Sequence, residues 1–190
     1  MKAYFIFLIL IILFYFPAAG QNTFTDSLKK ELIRASSDTQ KITLLRRLGE
    51  AYNFSNADTS FIYTSEALRL AENLDDPFLI SKMQTQMCAT LAIKGNFLLA
   101  LNYGLTALKY FEQSNDSINM AYCMGTLQLL YKEMGDYDRV IKNERESGDF
   151  RDRILKSSSR DAVYVYAYDK ANLPDSVLFY SKKLSFSALN

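Results

Sequence analysis

Lys94-Gly95-Asn96-Phe97 decides the fold, because the pattern returns forty positions later as Met134-Gly135-Asp136-Tyr137. A weaker form, Ala171-Asn172-Leu173, follows after thirty-six more. Each of these turns separates two segments in which apolar residues recur every three or four positions. Leu44, Leu45, Leu48, Ala51 and Tyr52 share one helical face, as do Leu127, Leu130 and Tyr131. That spacing is the period of an amphipathic helix and not of a strand.

Working outward, further turn signals fall at Asn56-Ala57-Asp58, Asp75-Asp76-Pro77 and Ser114 to Ser117. Asp58, Ser117 and Asp136 are suited to cap the helices that follow, and Pro77 and Pro174 sit where a first-turn proline sacrifices no hydrogen bond. The pattern predicts helices over 25–36, 39–54, 59–74, 78–94, 97–113, 118–134, 137–153, 158–171 and 174–187. Gly and Pro are scarce, at 7 and 3 residues, so little interrupts these helices. The second helices also repeat: Ala67-Leu68 is matched forty positions on by Ala107-Leu108, and Ser147 continues the register.

Leu48-Gly49-Glu50-Ala51-Tyr52, the turns at Gly95 and Gly135, and the small residues Ala67, Ala100 and Ala107 resemble the tetratricopeptide repeat (TPR). The resemblance spans about residues 39 to 187. Its forty-residue period suggests the longer-helix variant of the family. It implies an all-α fold of three to four antiparallel helical hairpins over 39–190, stacked into a right-handed α-solenoid. Residues 21–38 would form an N-terminal capping helix whose polar face carries Lys29, Lys30 and Arg34. The first unit departs from the pattern by lacking the turn glycine. The third has Val140 and Glu144 where the family usually has Ala and an aromatic residue. Phe179, Leu184, Phe186 and Leu189 leave an apolar C-terminal edge through which the chain could self-associate. One hairpin cannot bury its apolar face alone, so stacking is what creates the core.

The first twenty residues read differently. Lys2 precedes an apolar run from Ala3 to Phe16, and Pro17-Ala18-Ala19-Gly20 supplies small residues for cleavage before Gln21. This is a secretory signal pattern, and it predicts a periplasmic or extracellular protein. At ~1.5 Å per residue the run spans about 21 Å, short of a ~30 Å hydrocarbon core. The alternative is an uncleaved membrane anchor over residues 3–19. No Cys stands near the cleavage point for lipidation.

Composition narrows the chemistry. The chain has 22 Lys+Arg against 21 Asp+Glu, and removing Lys2 balances them. There is no basic excess to neutralise nucleic-acid phosphates. Histidine is absent, which removes the commonest general base and metal ligand. No P-loop, GxGxxG or zinc spacing is present. The expectation is therefore no catalytic residue, no metal and no cofactor. Asp75-Asp76 has no base organised around it, and the charged stretch from Lys142 to Asp161 reads as a solvated face. Asp26-Ser27-Leu28, Asp116-Ser117-Ile118 and Asp175-Ser176-Val177 resemble an O-glycosylation signal of exported Bacteroidetes proteins, but are also ordinary helix starts. Cys88 and Cys123 fall on the first helices of adjacent repeats, offset by about 7 Å along the helix. We expect two buried free thiols in preference to a disulfide. Tyr52, Phe97, Tyr131 and Tyr137 occupy consensus positions and are expected in the core.

In the family this chain resembles, the first helices line a concave groove. Carried over, the groove positions are Arg46, Glu50 and Asn53, then Lys82, Thr85 and Ala89, then Tyr122, Leu129 and Lys132, and in the last unit Asp161, Val165 and Tyr168. The Lys-Asn arrangement that grips a terminal carboxylate in some members is missing, since Arg46 and Glu50 take those places. The resemblance implies a non-catalytic scaffold that holds a peptide or protein segment. Two alternatives are the exported sensor region of a two-component signalling protein, as in Bacteroidetes, and a glycan- or nutrient-binding repeat protein. The absence of Trp and of a lipidation Cys weighs against the last.

Overall fold

The computed structural model describes residues 23–155 and Lys170. Over that span the chain is helical, with no strand among the described residues. The helices are α1 (residues 23–34), α2 (Asp38–Tyr52), α3 (Ala57–Asn73), α4 (Pro77–Ile93), α5 (Phe97–Gln113), α6 (Ser117–Glu133) and α7 (Tyr137–Leu155). The expected helices over 158–171 and 174–187, and the leader over residues 1–20, lie outside the described residues. No helix among the described residues is long and apolar enough to cross a membrane.

The helices pair as α2 with α3, α4 with α5 and α6 with α7, and each pair stacks on the next to give a TPR-like solenoid. The first helices of successive pairs also touch, α2 against α4 and α4 against α6, so they form an inner row. Between the rows lies a continuous core running from Ile42 and Leu45 through Ala67, Met83, Met87, Leu91 and Ala100 to Leu127 and Leu130. The small residues named by the repeat pattern, Ala67, Ala100 and Ala107, are all fully buried, where they let helix axes approach. Helix α1 docks through Leu28 against Leu44 and Leu48.

The turns explain the regularity. Asp75, Gly95, Asn115 and Gly135, twenty residues apart, all adopt positive φ, at 49°, 76°, 56° and 72°. A side chain at Gly95 or Gly135 would meet nothing within 4 Å, so the glycine serves the left-handed backbone and not a lack of space. At each glycine turn the chain closes a Schellman motif, with Asn96 N–H bonded to the Leu91 carbonyl at 2.9 Å and Asp136 N–H to that of Tyr131 at 2.9 Å. Asp116 does the same to Phe111 at 3.0 Å. The residue that ends one helix then caps the next, because the Asp116 carboxylate accepts from Asn119 N–H at 3.0 Å and Asp136 accepts from Arg139 N–H at 3.1 Å.

Three expectations are corrected. The caps before α3 and α6 are Asn56 and Asp116, not Asp58 and Ser117, because each helix begins a residue or two earlier than its apolar pattern does. Tyr52, Phe97, Tyr131 and Tyr137 are half-buried and not sealed in the core. They stand near helix ends, where packing covers one face of a ring; Tyr52 stacks on Tyr63 at 5.9 Å between centroids and carries the Lys29 ammonium 5.6 Å above it. The polar face expected for α1 is interrupted by Ile33, which is 85% exposed.

Cys88 and Cys123 are both free and fully buried, on either side of Gly104 of α5. Cys123 Sγ–H donates to the Gly104 carbonyl at 3.2 Å. Burial pushes the Cys88 thiol up to about 12 and the Cys123 thiol up to about 11. Because the thiolate is the reactive form, neither should be alkylated by iodoacetamide at pH 8 in the native state, and both should be alkylated in denaturant. Mass spectrometry that found native labelling on the timescale of an unfolded control would contradict this packing. The sign of the pH effect follows. Folded thiol pKa values above the unfolded value contribute stability that is complete below pH about 9 and is lost as pH rises through 11 to 12.

A hollow across three successive repeats

The inner helices carry the candidate site. A hollow of about 510 Å3 crosses α2, α4 and α6 and is lined by Arg46, Glu50, Lys82, Thr85, Gln86, Ile118, Asn119, Tyr122 and Thr126. Another hollow, about 430 Å3, opens between α1 and α2 near Ala35, Thr39 and Leu44, and draws on one end of the stack alone.

Five of the groove positions expected from sequence meet in the larger hollow: Arg46, Glu50, Lys82, Thr85 and Tyr122. Asn53 does not. It is 7% exposed and turned into the stack, where its Oδ1 accepts from Ser60 Oγ at 3.2 Å and from Thr90 Oγ1 at 3.2 Å. It ties α3 and α4 together from the end of α2. Ala89, Leu129 and Lys132 lie on the inner helices outside the hollow. Tyr168, Asp161 and Val165 lie outside the described residues.

Gln86, Ile118, Asn119 and Thr126 were missed. Two of them carry a readable signal. Arg46, Gln86 and Thr126 are forty positions apart, so they occupy one repeat position on three helices. Lys82 and Tyr122 are likewise equivalent. Applying the forty-residue register to Arg46 alone yields the whole row.

Electrostatically the hollow is mixed and rich in donors. Arg46 is ion-paired to Glu50 one turn along α2. Lys82 Nζ lies 5.3 Å over the Phe78 ring. The Asn119 amide donates to Asp116 at 2.7 Å. That bond, with the Asn119 backbone N–H next and Lys82 a smaller cause, holds the Asp116 carboxyl below the usual carboxylate range. Thr85 and Thr126 donate their hydroxyl hydrogens to the Ser81 and Tyr122 carbonyls within their own helices. Gln86 Nε2 is buried with no hydrogen-bond partner among the described residues, an expensive state for an amide donor. Ile118 and Tyr122, each 59% exposed, form an apolar wall on α6. Glu50 is the one carboxylate in the lining and is already bonded to Arg46.

Paired helices of similar length, left-handed turn residues at fixed intervals and an inner row lining one hollow define a tetratricopeptide-type scaffold. Such scaffolds are generally non-catalytic and typically bind protein partners. The chain belongs to the family of the SusR N-terminal TPR domain, whose family model matches residues 22–176. No curated protein matches the chain.

Proposed function

We propose that this protein is an exported, non-catalytic scaffold that holds an extended segment of a partner protein in the hollow across α2, α4 and α6. The observation that carries the reading is the row Arg46, Gln86 and Thr126, one residue from each of the three inner helices, all lining the same hollow. Inner helices packed at 8–10 Å present such groups at about three-residue intervals of an extended chain, whose own rise is about 3.3 Å per residue. A peptide backbone offers carbonyls to the donors and side chains to the wall of Ile118 and Tyr122. Export is supported by Lys2, the apolar run from Ala3 and the small residues at 17–20.

A photo-reactive residue in place of Tyr122 should form a covalent adduct with a partner protein in the producing cells, while the same residue at Glu66, on the outer helix α3, should not. Adding Lys82→Glu should weaken capture about tenfold, worth ~1.4 kcal/mol. Equal adducts from both positions, or a clear rise in melting temperature with a small sugar and no protein adduct, would sink this reading.

A second reading is the sensing part of a signalling protein. It is favoured by the family description, which places the matching repeats at the N-terminus of the protein it names.

A further inference from the structure

Charge is unevenly spread around the hollow. Arg46 and Glu50 come from α2 and Lys82 from α4, while α6 contributes only the uncharged Ile118, Asn119, Tyr122 and Thr126. The repeat does not impose this division. Forty residues to either side of Lys82 stand Ile42, buried in the core, and Tyr122. Glu50 is matched at the same interval by Thr90 and Leu130, both buried. The cations outnumber the carboxylate that faces them. Glu50 pairs with Arg46, and Lys82 makes no ion pair among the described residues. Asp116 feels the Lys82 charge, but both of its carboxylate oxygens accept from Asn119. One wall of the hollow is therefore cationic and the opposite wall is apolar.

We propose, resting on the reading of the hollow as a peptide site, that the held segment carries an internal Asp or Glu two residues from a large apolar residue. The acid faces Arg46 and Lys82, and the apolar side chain packs on Ile118 and Tyr122. In an extended strand, side chains two positions apart point the same way and stand about 6.7 Å apart. Adjacent inner helices stand about 8–10 Å apart, and the flexible four-carbon stem of Lys82 covers the difference. A carboxylate here gains charge-assisted hydrogen bonds from the guanidinium and the ammonium. The Arg46 side chain is 26% exposed, so that attraction is screened less than on an open surface. A basic segment would instead meet like charge at Lys82, which discriminates against it.

The test is selection of random dodecapeptides displayed on phage against the purified protein. The peptides are joined to the coat protein at their C-termini, so the only carboxylates they offer are side chains. Selection should enrich Asp or Glu two positions from Tyr, Phe, Leu or Ile. An enriched peptide, synthesised and labelled for fluorescence anisotropy, should bind about tenfold more weakly once its acid is replaced by the amide, and its affinity should fall as salt rises. Protein carrying Lys82→Glu should enrich Lys or Arg where the acid stood, a gained preference that a misfolded variant cannot give. Protein carrying Glu66→Lys, on the outer helix α3, should enrich the same peptides as the unaltered chain. Enriched peptides that lack an acid, or that keep it on the Lys82→Glu protein, would overturn the proposal and leave the peptide reading standing. Failure to enrich any peptide over the bare support would overturn the peptide reading, and this proposal with it.

Discussion

Phe111→Ala is expected to lower the unfolding free energy by about 3–5 kcal/mol, the range for truncating a buried phenylalanine. Phe111 is 1% exposed and, among the described residues, the largest of the fully buried side chains. It stands near the end of α5 and packs with Ala107 and Cys123, with Phe78 of α4 and Met120 of α6 at the edge of the cluster. Its ring therefore joins the second hairpin to the third. In a stacked-repeat protein, stability is a sum of unit terms and nearest-neighbour interface terms. Emptying this site weakens an interface term, so the loss should appear as reduced cooperativity as well as a lower midpoint. Urea unfolding followed by far-UV circular dichroism checks both. A shift below about 1 kcal/mol with an unchanged slope would mean that the hairpins hold together without the ring.

Gly104→Val should cost about 3 kcal/mol, by a different route from truncation. A Cβ at this position would lie 2.6 Å from Leu127 Cδ2 and 2.9 Å from Cys88 Sγ, in a site where both neighbours are buried. Leu127 Cγ, at 3.3 Å, limits how far that side chain can retreat. Helix propensity opposes this, since replacing a mid-helix glycine by alanine contributes about 1 kcal/mol. Gly104→Ala should accordingly be much milder than valine. The decisive measurement is a double-mutant cycle with Leu127→Ala. The leucine truncation should cost less in the valine background than alone, with a coupling of at least about 0.5 kcal/mol. Additive effects would show that α5 and α6 do not meet at Gly104 as described.

Much of the fold was legible because its strongest signals are local. A glycine turn with Asn or Asp and an aromatic residue, recurring at forty residues, identifies the hairpin and its stacking. What escaped is that the structural period is twenty. Glycine marks every second turn, while Asp75 and Asn115 adopt the same left-handed backbone without it. Those residues tolerate that region through local side-chain hydrogen bonding, so the geometry repeats where the letters do not. A signal was present in the caps: Asn56, Asp76, Asn96, Asp116 and Asp136 stand at twenty-residue spacing. The groove was partly legible for a related reason. Family positions name Arg46, Glu50, Lys82, Thr85 and Tyr122, which share one hollow, but helix phase alone does not separate an inward-facing polar residue from one at the mouth of a hollow. Asn53 turned into the stack because Ser60 and Thr90 provide hydroxyls there.

The twenty-residue interval between turns has a consequence for how such a chain can change length. Inner and outer helices alternate, so position in the molecule depends on whether a helix is odd or even in order. Helices α3 to α6 each have 17 residues, and their caps are all Asn or Asp. Excising residues 77–116 would join Asp76 to Ser117, placing an equivalent cap before α6 and leaving every remaining helix on its own side. Excising only one helix and its turn would preserve each local bond while turning every later helix inside out. Growth and loss in this architecture thus obey a parity rule. Ancestral chains could lengthen the inner row by duplicating blocks of two helices without altering a single turn.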